Sequence, residues 1–299
     1  MTPIELRTAL TGVIAFTPTP FTDDDRLATD VLAEHVDRLA RLGGPVAVCG
    51  AVGEFAALDL DEYRAAITTT VDAVAGRVPV IVGVGLGTRI ATDLAGHAAR
   101  VGASGILVNP LGGDVTDDGL VRHYRSLAAA SGLGLIVFST RGQVYSVDQL
   151  ERLAHIDEVV ALKDEWGDLR LFAESRERLG DRFAWIDGMA ELQAAEYRVL
   201  GADAMTSGLV NVAPDLTTAI WTAATEGRWS ELQVLVARAR PFAALRARTP
   251  GYSIAVIKAG LDMLGHPFGS VRAPLSPLAP ADLDDLRQVL AVLAPAGVA

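Results

Sequence analysis

The sequence predicts an α/β fold, a (β/α)8 TIM barrel over residues 1–226 with a C-terminal helical extension over 227–299 packed on it. Three observations carry that expectation. Short apolar runs alternate with helical patterns of ten to fifteen residues, eight times over. The runs are rich in Val and Ile and mostly continuous rather than alternating, as in parallel strands buried on both faces. Glycines at positions 43, 76, 102, 132, 180 and 201 each follow a helical segment, where a C′ glycine ends one helix before the next strand.

In order along the chain, Gly12–Thr17 reads as the first strand and Asp30–Leu42 as its helix. Pro45–Cys49 pairs with Asp61–Ala75, Pro79–Val84 with Thr88–Val101, and Gly105–Val108 with Asp117–Ser131. Gly134–Phe138 leads to Val147–Ile156, Val159–Lys163 to Leu169–Leu179, Phe183–Asp187 to Ala190–Leu200, and Ala204–Ser207 to Pro214–Glu226. Eight such units in a row favour a closed barrel over an open doubly wound sheet. Helical patterns then continue at Ser230–Ala247, Tyr252–Leu264 and Ala281–Leu293, broken by Arg248-Thr249-Pro250-Gly251 and His266-Pro267-Phe268-Gly269.

Composition narrows the function. Half of the 299 residues are hydrophobic, enough for a large core. A net charge of −11 argues against a nucleic-acid footprint, which would be basic. No apolar run reaches the ~18–20 residues that span a bilayer, and no signal peptide is evident at Met1-Thr2-Pro3-Ile4-Glu5. Cys49, the single cysteine, reads as a small buried hydrophobe and fits a reducing cytoplasm. The expectation is a soluble cytoplasmic protein with no nucleic-acid or membrane partner.

Only two of the 26 basic residues are lysines, and Lys163 ends the apolar run Val159-Val160-Ala161-Leu162. A chain that accepts arginine almost everywhere, yet keeps a lysine at the end of a buried strand, points to a need for an amine. Lysine can lose its proton when desolvated and attack a carbonyl, whereas arginine stays protonated. An imine formed with a 2-oxo group would act as an electron sink for loss of a proton, a carboxylate or an aldol fragment. The bland alternative is a satisfied structural lysine.

In such barrels the active site lies at the C-terminal ends of the strands. The candidate lining residues there are Ala51, Val52 and Gly53 after the second strand and Phe138, Ser139 and Arg141 at the fifth. Glu165 follows the lysine, Gly188 follows the seventh strand, and Thr206 and Ser207 end the eighth. Glu54 reads as a structural carboxylate in a tight loop, and Asp23-Asp24-Asp25 as a solvated loop. Gly83-Val84-Gly85-Leu86-Gly87 fits neither G-x-G-x-x-G nor the P-loop and reads as a close-approach loop. The five histidines lack metal-ligand spacing and read as surface or helix-face residues, and no G-x-S-x-G elbow is present.

The pattern resembles the dihydrodipicolinate synthase/N-acetylneuraminate lyase family over nearly the whole chain. The pieces are Phe16-Thr17-Pro18-Thr19-Pro20-Phe21, Gly53-Glu54-Phe55 with Leu58 and Glu62-Tyr63-Arg64, Lys163-Asp164 with Gly167-Asp168, and Asn211-Val212-Ala213-Pro214. Gly53-Glu54-Phe55, the stretch from Gly251 to Gly260 and Val271-Arg272-Ala273-Pro274-Leu275 are most similar to its 5-dehydro-4-deoxyglucarate dehydratase branch. The resemblance implies imine chemistry on a small-molecule 2-oxo acid through Lys163, no metal or organic cofactor, and a homo-oligomer, tetramer or dimer. For the branch it implies loss of water and CO₂ from a keto-deoxy sugar diacid. An aldolase or synthase on another 2-oxo acid, and a paralogue that binds a keto acid without turnover, are the alternatives.

The chain departs from the family at several positions, three of which remove a hydroxyl from one site. Phe138 stands where the family carries a proton-relaying tyrosine, Ala51-Val52 replaces a hydroxyl-bearing pair, and Leu111-Gly112-Gly113 follows Pro110 where a further tyrosine is usual. A phenyl ring keeps the shape but has no O–H to give or take a proton. Ser139, Thr140, Tyr145, Glu165, Thr206 and Ser207 are the available substitutes, and Arg141 could grip a carboxylate in two-point fashion. Lys258 lies on a helix and is assigned no role in the chemistry.

Overall fold

Eight parallel strands close into a barrel in chain order in the computed structural model, which describes residues 1–294. They are β1 (Gly12–Phe16), β2 (Val46–Val48), β3 (Val80–Val84), β4 (Gly105–Val108), β5 (Gly134–Ser139), β6 (Val159–Asp164), β7 (Ala184–Asp187) and β8 (Ala204–Ser207). Closure comes from β1 pairing with β8, Gly12 against Ala204 through Ala15 against Ser207. The predicted strand positions hold to within a residue or two, because an uninterrupted Val/Ile run has no polar face to turn to water.

The helices are α1 (Pro3–Ala9), α2 (Thr29–Ala40), α3 (Leu60–Val74), α4 (Thr88–Val101), α5 (Asp117–Ser131), α6 (Val147–Ala154), α7 (Leu169–Leu179), α8 (Ala194–Val199) and α9 (Pro214–Thr225). Beyond them α10 (Trp229–Ala247), α11 (Tyr252–Met263) and α12 (Pro280–Leu293) form the C-terminal extension. Side-chain caps start several of them: Asp59 and Ser146 form capping boxes with Glu62 and Gln149, and Asp168 accepts from the backbone N–H groups of Arg170 and Leu171. All six glycines expected at helix ends have positive φ, between 52° and 92°.

Two departures follow from local causes. The segment expected as one helix from Ala190 to Leu200 opens as a 3₁₀ turn, Ala190–Gln193, before α8. Asp187 draws that turn tight by accepting from the N–H groups of Met189 and Ala190. The second is α1, which the hydrophobic pattern did not single out. It crosses the bottom of the barrel, and Leu6 and Leu10 join Ile14, Ile81, Leu107 and Ile136 in the barrel interior, both fully buried. Gly105 and Gly134 make room: a Cβ on either would lie 2.3 Å or 2.7 Å from the Leu6 Cδ2. Burying Leu6 there contributes about 1.5–3 kcal/mol and closes the end of the barrel opposite the C-terminal ends of the strands.

Candidate active site

Strand alternation places Lys163 toward the barrel axis, in register with Phe138 on one side and Ile186 on the other. Its side chain is 6% exposed. Its Nζ stands 3.7 Å from the centroid of the Phe138 ring and 5.1 Å from that of Phe16, and it donates a hydrogen bond to the Glu165 carboxylate. Lys163 therefore meets two aromatic faces and one carboxylate at the floor of a cavity of about 670 Å³.

Of the residues named from the sequence, Ala51, Val52, Phe138, Arg141, Glu165, Gly188, Thr206 and Ser207 line that cavity with Lys163. Two expected residues do not. Ser139, next after the inward Phe138, points the other way, in register with Asp164 on the outer face of the sheet. Gly53 sits behind the wall, its carbonyl accepting from the Thr19 hydroxyl. Gly188 is needed for close approach rather than for contact, since a Cβ there would lie 2.5 Å from the Asp164 carbonyl oxygen.

Three of the hydroxyls named as substitutes, those of Thr206, Ser207 and Tyr145, are engaged elsewhere. Thr206 donates to the Asp187 carbonyl, and Ser207 donates to Glu191 while accepting from the Val210 N–H. Tyr145 is buried against Tyr124, its phenol pushed up to about 12 by that burial, and lies outside the cavity lining. Thr140 pairs through its backbone with Gln143 and lies outside the cavity lining. Among the candidates named from sequence, Glu165 is the one whose side chain touches Lys163.

Behind the sixth and seventh strands lies a layer of buried carboxylates. Burial raises the Asp164 carboxyl, against the opposing hydrogen bond from Tyr197, and holds Asp187 well above its ordinary value. Burial also raises Glu191, against the bond from Ser207. These groups brace the strand ends and leave Glu165 as the carboxylate that faces the cavity.

The second-strand loop is held from afar. Glu54 is buried with φ of 52°, a left-handed conformation uncommon outside glycine. Its carboxylate accepts from Lys258 at 3.1 Å and from the Arg272 N–H at 3.0 Å. Arg272 in turn grips Glu62 with two 2.6 Å bonds and stacks its guanidinium 3.8 Å from the Phe21 centroid. Burial lowers the Lys258 ammonium, which Glu54 partly restores. Both lysines thus meet a carboxylate, one in the cavity and one in the scaffold. Glu54 has the structural role expected of it, and it reaches Lys258 and Arg272 on the C-terminal stretches that carried the resemblance. Asp25, expected in a solvated loop, remains exposed but bonds Arg272 at 2.8 Å.

Other expectations resolve as follows. Gly83 is a close-approach position, a Cβ there falling 2.3 Å from the Cys49 carbonyl oxygen, and Cys49 is buried. Of the histidines read as surface or helix-face residues, His35 and His123 lie on the buried faces of α2 and α5. His35 lies on the inner face of α2, where Asn211 and Arg38 satisfy both ring nitrogens. Asn211 also donates to the carbonyls of Phe16 and Gly208, tying its loop to the end of β1. Among the described residues no group of three His, Cys, Asp or Glu is arranged to hold a metal ion, and no helix is long and apolar enough to cross a membrane.

The sequence reading missed the contribution of the C-terminal helices. Ala243, Arg246 and Ala247 of α10, with Ser253 and Ile254 of α11, form one wall of the cavity. The signal was weak, because Arg246 is one of several arginines along α10 and no motif sets it apart. Burial lowers its guanidinium, with Glu191 and then Glu165 opposing.

Comparison with known proteins places this geometry. Residues 9–293 match the model of the dihydrodipicolinate synthetase family. A probable 5-dehydro-4-deoxyglucarate dehydratase from Streptomyces coelicolor is 37% identical over 95% of this chain and 93% of its own. One from Streptomyces avermitilis is 39% identical over 93% of this chain and 86% of its own. Dihydrodipicolinate synthase from Oceanobacillus iheyensis superposes with a TM-score of 0.91 at 27% identity, covering 97% of this chain and 98% of its own. A sialic acid aldolase from Ruminococcus gnavus shares the fold, with a TM-score of 0.90 at 18% identity over 95% of this chain and 97% of its own. On these grounds the chain belongs to the dihydrodipicolinate synthetase family.

Proposed function

We propose that the protein is a lysine-dependent lyase that removes water and CO₂ from a keto-deoxy sugar diacid, as a 5-dehydro-4-deoxyglucarate dehydratase does. The observation that carries this reading is Lys163, buried at the cavity floor with Glu165 hydrogen-bonded to its nitrogen. The names of the relatives at 37% and 39% identity support the choice of substrate.

In this reading the Lys163 amine attacks the ketone carbon, and the ketone oxygen leaves as water to form a protonated imine. The neighbouring CH₂ gives up a proton into that electron sink, and the hydroxyl on the next carbon departs as water. The bond to the far carboxylate then breaks, its electron pair flows through the conjugated imine, and CO₂ leaves. Protonation and hydrolysis release an aldehyde acid and the free amine, so the net loss is one water and one CO₂. Glu165 takes the ammonium proton before attack and returns a proton to the nitrogen at release. Phe16 and Phe138 exclude water from the imine while it persists.

The finer expectations travel with this reading: a homo-oligomer, tetramer or dimer, in the cytoplasm. The apolar groove between α7, α8 and α10, with Val199 70% and Trp229 44% exposed, supports self-association. The test of the main reading is borohydride reduction in the presence of 5-dehydro-4-deoxyglucarate, followed by intact mass and peptide mapping. A reduced adduct on Lys163, absent in Lys163→Ala, together with release of CO₂ and aldehyde, is expected. No adduct with this or any other 2-oxo acid would sink the imine mechanism, and an adduct without CO₂ or aldehyde would point to binding without turnover.

A further inference from the structure

We infer that Arg246, on the C-terminal extension, binds the far carboxylate of the substrate and makes the enzyme selective for 2-oxo diacids over 2-oxo monoacids. This rests on the reading of the cavity as an imine-forming site and names the substrate feature that the wall opposite the barrel recognises.

Arg246 lines the same cavity as Lys163. One side of its guanidinium is fixed: Nε donates to the Ser253 carbonyl at 3.1 Å and Nη2 to the Ser253 hydroxyl at 2.8 Å. A guanidinium carries five N–H donors in a rigid fork. Those two bonds hold the plane and leave the Nη1 donors and the second Nη2 hydrogen unengaged. An unengaged pair of this kind matches the two oxygens of a carboxylate. Among the described residues Arg246 forms no ion pair, although Glu191 and Glu165 are near enough to influence it. Glu191 is instead held by Ser207, and Glu165 by Lys163.

The backbone opposite is shaped for this group. Gly208, at the end of β8, stands where a Cβ would fall 3.2 Å from Nη2 and 3.4 Å from Cζ of Arg246, and 2.8 Å from Cδ1 of Ile257. Glycine at that position leaves the space the guanidinium fills. The charges of the lining agree. In a chain of net charge −11, the cavity carries the cations Lys163, Arg141 and Arg246 against the single carboxylate of Glu165. With Glu165 paired to Lys163, both arginines remain to attract a dianion. Arg141 is exposed on the β5 loop, whereas Arg246 is half-buried and pinned, so the more selective contact falls to Arg246. A cavity of about 670 Å³ is ample for a six-carbon chain reaching from the amine to this wall.

The experiment compares 5-dehydro-4-deoxyglucarate with its monoacid counterpart, 2-dehydro-3-deoxygluconate, in the wild type, Arg246→Leu, Arg246→Lys, Gly208→Ala and Arg141→Leu. Pyruvate trapping on Lys163 serves as the readout of site integrity. Arg246→Leu is expected to raise KM for the diacid about 10- to 100-fold, to leave unchanged the concentration of monoacid that half-saturates borohydride trapping on Lys163, and to trap pyruvate as the wild type does. Arg246→Lys should recover only part of the loss, because an ammonium cannot grip both oxygens. Gly208→Ala should act in the same direction by displacing the guanidinium. Unchanged discrimination in Arg246→Leu, with pyruvate trapping intact, overturns the inference and spares the imine reading, as does loss of discrimination in Arg141→Leu alone. Failure of the wild type to trap any 2-oxo acid overturns the imine reading instead.

Discussion

The nitrogen of Lys163 lies 3.7 Å from the centre of the Phe138 ring, so the position from which a tyrosine would relay protons is occupied by a π-face. Phe138→Tyr adds a hydroxyl at the ring edge without changing the packing of the ring. It is expected to raise dehydratase turnover by about tenfold, because a second positioned acid–base group then serves the imine. Steady-state kinetics on the diacid decide this, and a kcat at or below the wild-type value counts against a missing relay as the limit on rate.

Glu165 is expected to carry the proton transfers that the hydroxyls do not. Glu165→Gln keeps the size and a hydrogen bond to Lys163 but removes the base, so kcat should fall about 10²–10⁴-fold. Borohydride trapping should persist, more slowly, and one limb of the pH–rate profile should disappear. A variant with an unchanged pH profile would assign Glu165 a purely structural part.

The buried pair of Glu54 and Lys258 makes a prediction about stability rather than turnover. Lys258→Met leaves the Glu54 carboxylate buried with only the Arg272 N–H to satisfy it. The cost is expected at about 3–5 kcal/mol in urea unfolding. Adding Glu54→Gln to that variant should recover a part of the loss, because the uncompensated charge is then gone. A single Lys258→Met variant as stable as the wild type would show that the pair contributes nothing to the fold.

His35 sets an acid limit on stability. Arg38 can only donate, so the nitrogen it faces at 2.7 Å must accept, while the other nitrogen donates to Asn211 at 2.8 Å. That arrangement requires the neutral ring, and burial pulls its pKa from 6.5 down to about 3. Between those values the unfolded chain takes up a proton that the folded one does not. Stability from this group is therefore complete above pH 6.5 and lost as the pH falls toward about 3. At pH 5 the loss is about 2 kcal/mol. Asp164, Asp187 and Glu191, all raised by burial, act in the opposite sense. The difference in slope between wild type and His35→Gln isolates the histidine. Equal slopes for the two proteins from pH 7 to 5 would remove His35 from the account.

Strands and most helices were legible because buried parallel strands announce themselves as Val/Ile runs and helix ends as glycines. Lys163 was legible for a compositional reason, being a lysine in an arginine chain, and the strand period then fixed its direction. Other features depend on contacts that no local pattern encodes. The plug by α1 is one, since a seven-residue amphipathic segment resembles any surface turn until Gly105 and Gly134 are seen to receive Leu6. Ser139 was misplaced by a single residue of register, and Arg246 looks no different from its neighbours until α10 is docked across the barrel mouth. His35 could be read no further than a surface or helix-face residue, because the Asn211 partner of its ring arrives from 176 positions along the chain.

The order in which the site is made differs from the order in which it acts. A ribosome that has delivered every strand of the barrel has already delivered Lys163, Glu165 and Phe138, yet the cavity still lacks the wall that α10 and α11 supply. Glu54 must likewise wait 204 residues for Lys258, and 218 for the Arg272 N–H, before its buried charge is answered. The strand that carries Lys163 therefore precedes, along the chain, the helices that complete the cavity around it.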